Sequence, residues 1–331
     1  MSRCAVVGAG AWGTAIADLL ARNGHDVVIW AREEDVVRSI NERHVNDRFL
    51  AGAPLDAGLR ATGDAREAVE GAGMVVYVPP SHVLRSVIRS HAGAVAPDAT
   101  VVVASKGIER ESLALMTDVA GEELPGRAVA ALSGPSFAAE VAARQPTAVV
   151  AAADDGEVAA RVQQAFASDS FRVYSAADVT GVELGGSLKN VMAVATGIVE
   201  GLGLGFNSRA ALITRGLAEM TRLGVALGAR ASTFAGLAGM GDLVLTCTGS
   251  LSRNRSVGFE IGQGRTLDEV MASRETVAEG VTTARSAAEL ARREGVEMPI
   301  VAAVCKVLFE GGAPRSAIDD LMGRELRTEQ D

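Results

Sequence analysis

Two lysines, one aspartate and a turn rich in hydrogen-bond donors are the residues of this chain best equipped to act on a small anion. Lys189 stands beside Asn190 in the middle of an apolar run, 182–199. Gly185, Gly186 and Ala193 lie three or four places away, on the same face of a helix. Such a small-residue face lets another molecule approach the ammonium; taken alone, Lys189 equally reads as a surface lysine whose stem snorkels out of a helix edge. Lys106 follows an apolar run in Ser105-Lys106-Gly107, at what would be a strand end. Asp242 interrupts an otherwise apolar stretch, 234–250, and reads by itself as a helix cap, with a substrate hydroxyl or Lys189 as the alternative partner. Ser252, Arg253, Asn254 and Arg255 place hydroxyl, guanidinium and amide groups at the start of a helix. That set suits a phosphate, held by a forked guanidinium and helix N-terminal N–H groups, or it is a solvated basic helix start.

A nucleotide site is the second half of such chemistry. Residues 4–9 form a short apolar run, followed by GAGAWG and an apolar-periodic segment. Gly8, Gly10 and Gly13 have the G-x-G-x-x-G spacing, which serves a tight turn, close backbone approach to a pyrophosphate and close helix packing. A second strand, 26–30, leads to Ala31-Arg32-Glu33-Glu34, where an acidic residue would hold a ribose 2′-hydroxyl. Arg32 there favours a 2′-phosphate and hence NADP; Glu33 as the ribose ligand is the competing reading.

These groups need elements to carry them. Apolar runs at 74–78, 101–104 and 128–132 predict strands ending in Pro79-Pro80-Ser81, Ser105-Lys106-Gly107 and Ser133-Gly134-Pro135-Ser136-Phe137; 147–151 and 171–174 predict outer strands, with helices at 81–90 and 156–167 between. Ligands bind at the C-terminal ends of strands in such sheets. Beyond residue 175 the patterns turn helical: the Lys189 run, a glycine-rich break at 201–207, then helices at 208–227, after Glu279-Gly280 and from Pro299, and a polar frayed tail. The expectation is an α/β protein with an N-terminal Rossmann-type doubly wound sheet over 1–177, followed by an all-α C-terminal domain over 178–331.

Composition narrows the function. The chain has 331 residues, 48% hydrophobic and 22% charged, with a net charge of −9, which speaks against nucleic acid as a partner. Cys4, Cys247 and Cys305 are isolated, which argues for a reducing, cytoplasmic setting and against a disulfide framework or a metal site. No run reads as a membrane span, because Lys189, Asn190 and several glycines break the nearest one.

The motifs GAGAWGTA, VPPSH, SKGIE, SGPSFAAEV, ELGGSLKNVMAVATGIVEGLGLGFN, ALITRGLAEM and FAGLAGMGDLVLTCTGSLSRNRS, with a late EG and MPI, resemble those of bacterial NAD(P)-dependent glycerol-3-phosphate dehydrogenases, in family order over nearly the whole chain. The resemblance implies reversible reduction of dihydroxyacetone phosphate to sn-glycerol 3-phosphate with NADPH or NADH, feeding phospholipid synthesis, in an enzyme with a phosphate-bearing small-molecule substrate and a homodimeric assembly. It implies that Lys189 is the proton donor, that Lys106 touches substrate and nicotinamide, and that Asp242 binds the substrate end near Lys189. Ser252, Arg253 and Asn254 would hold the phosphate, Gly134 and Ser136 line the substrate pocket, and Asn190 and Thr246 match substrate contacts in eukaryotic relatives. Trp12, Arg32, Phe49, Ala138, Val277, Glu279 and Arg253 match cofactor contacts. Ala11, where serine is common in the fingerprint, Pro79 and Ser187 depart from the pattern. Related 3-hydroxyacid or 6-phosphogluconate dehydrogenases and a non-catalytic NADP-binding protein are the rival readings.

Overall fold

Short β-branched runs separated by glycine turns and amphipathic helices build one mixed sheet. The computed structural model describes residues 2–272, 274, 278–326 and 328–329. Its strands are β1 Arg3–Val7, β2 Asp26–Trp30, β3 Val45–Asn46, β4 Leu50–Pro54, β5 Arg60–Thr62, β6 Met74–Tyr77, β7 Thr100–Val103, β8 Ala128–Ser133, β9 Thr147–Ala152 and β10 Phe171–Ala176. Eight of them pair in the order β10-β9-β8-β7-β6-β1-β2-β5. Neighbours are parallel except β8 and β9, which run antiparallel. The chain winds outward from β1 to β2 and β5 on one side and to β6, β7 and β8 on the other, so β1 lies at the switch point where such sheets open a crevice. The inner strands β1, β6 and β7 are almost wholly buried, with Val, Ala and Met on both faces, as expected for strands covered by helices on both sides.

All seven expected strands are present. Nothing in the sequence announces β5, which has only three residues, or the β3–β4 hairpin, whose strand Leu50–Pro54 is built of small residues with a glycine and a proline and lacks a β-branched run.

From residue 178 on, the described chain is helical. Its axis is the 23-residue helix Val179–Gly201, which is buried on every side from Gly181 to Val199. A helix apolar all round is a core helix, and here Leu184, Leu188, Val191, Met192, Val194 and Ile198 join the C-terminal core. Asp178 caps it, accepting a hydrogen bond from Gly181 N at 2.9 Å. The interior glycines cost helix propensity, roughly 1 kcal/mol each, and close packing offsets that cost. Gly197 and Gly201 face Gly258 and Gly262 of the helix Arg253–Gly262. A Cβ at Gly258 would sit 2.0 Å from Val194 O, and one at Gly197 2.0 Å from Arg255 O. The two backbones touch, which fixes the Arg253 turn against the Lys189 helix. The helices Phe206–Ala226, Glu279–Arg293, Pro299–Phe309 and Pro314–Met322 complete this half; the last ends as the polar tail expected from residue 321 begins.

The halves are stitched by buried carboxylates. Glu183 accepts hydrogen bonds from Thr117 N and from the Thr117 hydroxyl at the start of helix Met116–Glu123, and burial pushes its pKa up to about 7. Among the described residues no single helix is long and apolar enough to cross a membrane; the bent pair Ala231–Thr248 and Arg253–Gly262 passes that test together, and it packs on the Lys189 helix.

Candidate active site

The glycine turn after β1 assigns each glycine a separate job. Gly8 has φ +117°, and its Cβ would meet Pro79 N at 3.1 Å, so the turn presses against the end of β6. A Cβ on Gly13 would lie 1.9 Å from Gly8 O, which lets the helix Ala11–Arg22 start directly under the turn. Gly10 differs: nothing lies within 4 Å of its Cβ position. That open space lies beside a helix N-terminus with no side-chain cap, whose free N–H groups and dipole favour an anion. The residues therefore fit a dinucleotide pyrophosphate. Gly10→Ala is expected to leave the melting temperature of the free protein unchanged while weakening NADPH binding about tenfold or more, since each 1.4 kcal/mol of lost contact is one decade. A titration of nicotinamide fluorescence checks the affinity, and equal affinity would remove Gly10 from the site.

Several groups surround this turn. Ala11, Trp12, Phe49 and Ala138 are partly buried against the N-terminal core, with Ala138 opening the helix Ala138–Ala142. Asn46 holds the β3–β4 hairpin to the turn by donating to Ala9 O at 2.9 Å and to Thr14 Oγ1 at 2.8 Å, and its carbonyl accepts from Phe49 N. Sequence reading missed Asn46; an asparagine in a polar loop carries no spacing signal. Arg32 lies just past β2, highly exposed, and its guanidinium pairs with Glu33 at 2.9 Å. The two competing ribose ligands are thus in contact with each other. Val277 lies outside the described residues.

At the C-terminal ends of β7 and β8 the two lysines meet over one carboxylate. Lys189 Nζ donates to Asp242 Oδ1 at 2.5 Å and to Thr246 Oγ1 at 2.9 Å. Lys106 Nζ donates to Asp242 Oδ2 at 2.7 Å and, more weakly, to Gly134 O at 3.4 Å. Asp242 is fully buried and Lys189 only 8% exposed, so Lys189 does not snorkel. Nor does Asp242 cap a helix: it opens Asp242–Thr248 directly after a π-turn, Leu237–Gly241, and its side chain accepts from the lysines. Lys189 has a pKa lowered to about 8, first by burial, then by Lys106, against the opposing pull of Asp242. An ammonium has three donors. The Asp242 and Thr246 bonds engage two on Lys189 and leave one for a ligand.

The strand ends pack around this trio. Gly134 adopts φ +144°, and a Cβ there would strike Val149 Cα at 2.8 Å, so only glycine turns the chain after β8. Ser136 Oγ donates to Gly134 O at 3.0 Å. Ser187, one of the departures from the family pattern, donates to Gly107 O at 3.1 Å and ties the Lys106 loop to the Lys189 helix. Gly185 and Gly186 do not leave room for substrate. Their Cβ positions would lie 2.4 Å from Ala238 O and 2.5 Å from Ser133 Oγ: the protein's own backbone and strand end fill that space.

On the anion side, helix Arg253–Gly262 begins at Ser252, whose hydroxyl caps it by accepting from Arg255 N at 3.3 Å. Arg255 turns away and forks onto Glu200 at 2.8 and 2.6 Å. Arg253, by contrast, has no ion-pair or hydrogen-bond partner among the described residues. It stays solvent-accessible within the surrounding protein, and burial lowers its pKa, with Glu279 opposing. Glu279 accepts from Ser81 N at 3.1 Å and Ser81 Oγ at 2.6 Å, bridging the end of β6 to the helical half; burial raises its pKa against those bonds. Asn190 and Asn254 are buried, with Asn254 Nδ2 donating to Asn190 Oδ1 at 2.9 Å. Cys247 packs close by, with a thiol pushed up to about 11 by burial, so it is no nucleophile. No metal-binding cluster occurs among the described residues.

Comparison with known proteins identifies the family. Residues 3–159 match the model for the NAD-dependent glycerol-3-phosphate dehydrogenase N-terminus, and residues 178–319 that for its C-terminus. The chain is 54% identical over 330 residues to a glycerol-3-phosphate dehydrogenase (NAD(P)+) from Citrifermentans bemidjiense, covering 99% of this chain and 98% of that one. It is 51% identical to the Rhodospirillum rubrum protein of the same name, covering 98% and 93%. The crystal structure of glycerol-3-phosphate dehydrogenase from Coxiella burnetii matches with a TM-score of 0.94 at 39% identity, covering 98% of this chain and 99% of that one.

Proposed function

Because the chain belongs to the NAD-dependent glycerol-3-phosphate dehydrogenase family, we propose that Lys189, Lys106 and Asp242 are its reaction centre and Arg253 its phosphate anchor. The chain is an NAD(P)-dependent oxidoreductase that reversibly reduces dihydroxyacetone phosphate to sn-glycerol 3-phosphate. The observation that carries the site assignment is the buried Lys189–Asp242–Lys106 bridge, where two ammonium groups share one carboxylate.

The reduced nicotinamide, when bound, supplies a hydride to the ketone carbon. The backbone of the Gly8–Gly13 turn, with Arg32 beyond β2, would hold that cofactor. As the carbonyl oxygen gains charge, the bridge offers it a net single positive charge, two cations against one anion, fixed in place beforehand. Lys189 then gives its free proton to that oxygen. A donor with a pKa near 8 is poised for transfer in both directions near neutral pH. Thr246 keeps the donor aligned: its hydroxyl hydrogen is committed to Asp242 O at 2.6 Å, so its oxygen presents a lone pair to Lys189. Asp242 holds both lysines throughout. Lys106, at the end of β7, is placed to contact substrate and nicotinamide together. Gly134 and Ser136 line the pocket floor, and Ser252 contributes through the helix start it caps.

Loss of nicotinamide absorbance on adding dihydroxyacetone phosphate tests the reaction, with 3-hydroxyacids and 6-phosphogluconate as comparison substrates. Turnover of the latter alone would overturn it. Arg32→Ala is expected to shift the cofactor preference toward NADH by about tenfold, one charge-assisted contact to a 2′-phosphate; an unaltered ratio of kcat/KM values would assign the ribose to Glu33. The boundary between the nucleotide and substrate domains falls at 177/178 in this reading, supported by the end of β10 at Ala176 and the cap at Asp178. A cytoplasmic setting is supported by three free, buried cysteines, and supply of phospholipid backbones by the reaction itself.

A further inference from the structure

The loop that carries Lys106 leaves the sheet and docks on the other half. From the end of β7 the chain runs through Ser105, Lys106 and Gly107 to the helix Met116–Glu123. Along the way Ile108 bridges to Leu115, and Glu109 N donates to Ala114 O at 3.0 Å. Ile108, Leu113 and Leu115 are buried in the C-terminal core with Leu184 and Leu188 of the Lys189 helix. Leu113 takes φ +61° there, a strained conformation for a leucine that burial of its side chain offsets. Hydrogen bonds fix both ends of this strap to one helix. Ser187 donates to Gly107 O at 3.1 Å at the near end, and Glu183 accepts from Thr117 N at 3.0 Å and from the Thr117 hydroxyl at the far end. Glu183, Gly186 and Ser187 are three and four places apart, on one helix face. The Lys106 stem passes over Gly186, with Cδ and Cγ 3.5 and 3.6 Å from where a Cβ would stand. On the sheet side Arg85 forks onto Glu109 at 2.8 and 2.7 Å, so the strap bridges the halves.

We propose that Glu183 and Ser187 are positioning residues for the reaction: they hold the strap to the Lys189 helix and so keep the Lys106 ammonium beside that of Lys189. This rests on the reaction centre assigned above and deepens it. The charged groups facing Lys189 are Asp242, from the helix Asp242–Thr248, and Lys106, from the strap. The Cys247 thiol nearby is pushed up to about 11 and stays neutral, and the Glu183 carboxylate faces Thr117 and Asp118. Lys106 lowers the Lys189 pKa and Asp242 raises it. A slackened strap takes Lys106 away, so the Lys189 pKa rises. A direct effect of the Glu183 charge on Lys189 would have the opposite sign, because removing a negative group lowers the pKa of a lysine.

The test is the pH profile of kcat for dihydroxyacetone phosphate reduction by the full chain with NADPH. Glu183→Ala is expected to lower kcat about tenfold and to move the alkaline limb upward from about 8 by roughly half a pH unit or more. Glu183→Gln keeps an acceptor for Thr117 N and an amide that reaches the Thr117 oxygen, so it restores both to near wild type. Adding Glu183→Ala to Lys106→Met, assayed at raised enzyme concentration, leaves the limb where Lys106→Met alone has it, because the two act through one group. Three results overturn the proposal: a limb that stays at about 8 or falls in Glu183→Ala, a glutamine variant as impaired as the alanine, or a further rise in the Lys106→Met background, which would place the effect in solvent entry at Lys189. Should Glu183→Ala fail to fold, Ser187→Ala decides, since it loses only the bond to Gly107 O: a smaller upward shift supports the strap, and an unmoved limb overturns it. Wild-type protein that does not oxidise NADPH with dihydroxyacetone phosphate, or that lacks a limb near pH 8, sinks the reaction centre and the strap with it. An active wild type with that limb, unmoved in the variants, sinks only the strap.

Discussion

Lys189→Ala is expected to lower kcat for dihydroxyacetone phosphate reduction by about 10²-fold or more, the usual loss for a positioned general acid, while NADPH affinity stays within a small factor. The expectation follows from the division of labour at the bridge. Without Lys189, Asp242 still holds Lys106 at 2.7 Å, so one cation remains to attract the carbonyl, but the buried donor with a pKa lowered to about 8 is gone. The pH profile makes the test specific. Burial lowers the Lys189 pKa to about 8, and reduction needs the protonated form. Wild-type kcat for reduction therefore falls as pH rises through about 8, and oxidation of glycerol 3-phosphate, which needs the neutral amine, rises over the same range. Both limbs vanish in Lys189→Ala. A variant that keeps near-normal kcat, or that keeps the wild-type limbs, would take Lys189 out of proton transfer. The alanine leaves a void beside Asp242 and Thr246, so thermal melting is measured in parallel to show that the fold persists.

How much of this was readable beforehand depended on whether a residue's partner was local. The glycine fingerprint is local: strand, turn and helix are contiguous, and Gly8, Gly10 and Gly13 take the three roles that their spacing implies. The Lys189 helix was likewise plain, because a long apolar run allows few alternatives. Partners across the chain were not legible. Asp242 reads as a cap by position, yet the π-turn before it carries its side chain to two lysines that precede it by 53 and 136 positions. Gly185 and Gly186 suggested space for a ligand, but a glycine announces only that something comes close, and here it is Ala238 and Ser133. Arg253 and Arg255 look equivalent in sequence. Two positions apart on a helix they point to nearly opposite sides, about 200° around the axis, and only the fold shows which one meets Glu200. Motif resemblance located the site residues; it had no means of showing that Asn190 and Asn254 bond to each other.

That distinction between the two arginines sets the second large effect. Arg253→Ala is expected to raise KM for dihydroxyacetone phosphate by roughly 10- to 100-fold, the size of one or two charge-assisted hydrogen bonds to a phosphate, with a smaller loss in kcat. Arg253 is the guanidinium of this turn with no internal partner among the described residues, and protein around it lowers its pKa by desolvation. A cation held in that state gains more from an incoming dianion than one already paired. Arg255 is such a paired case, forked onto Glu200, and its loss would act through the stability of the turn. The phosphate is remote from the reacting carbon, so the binding it contributes is mostly common to ground and transition states, which places the effect in KM. Unphosphorylated dihydroxyacetone supplies the control. Its slow reduction has no phosphate contact to lose, so wild type and Arg253→Ala should turn it over at similar kcat/KM, while their rates with the phosphorylated ketone separate by one to two decades, about 10- to 100-fold. Equal losses on both substrates would show that Arg253 supports the architecture of the site instead of holding the phosphate.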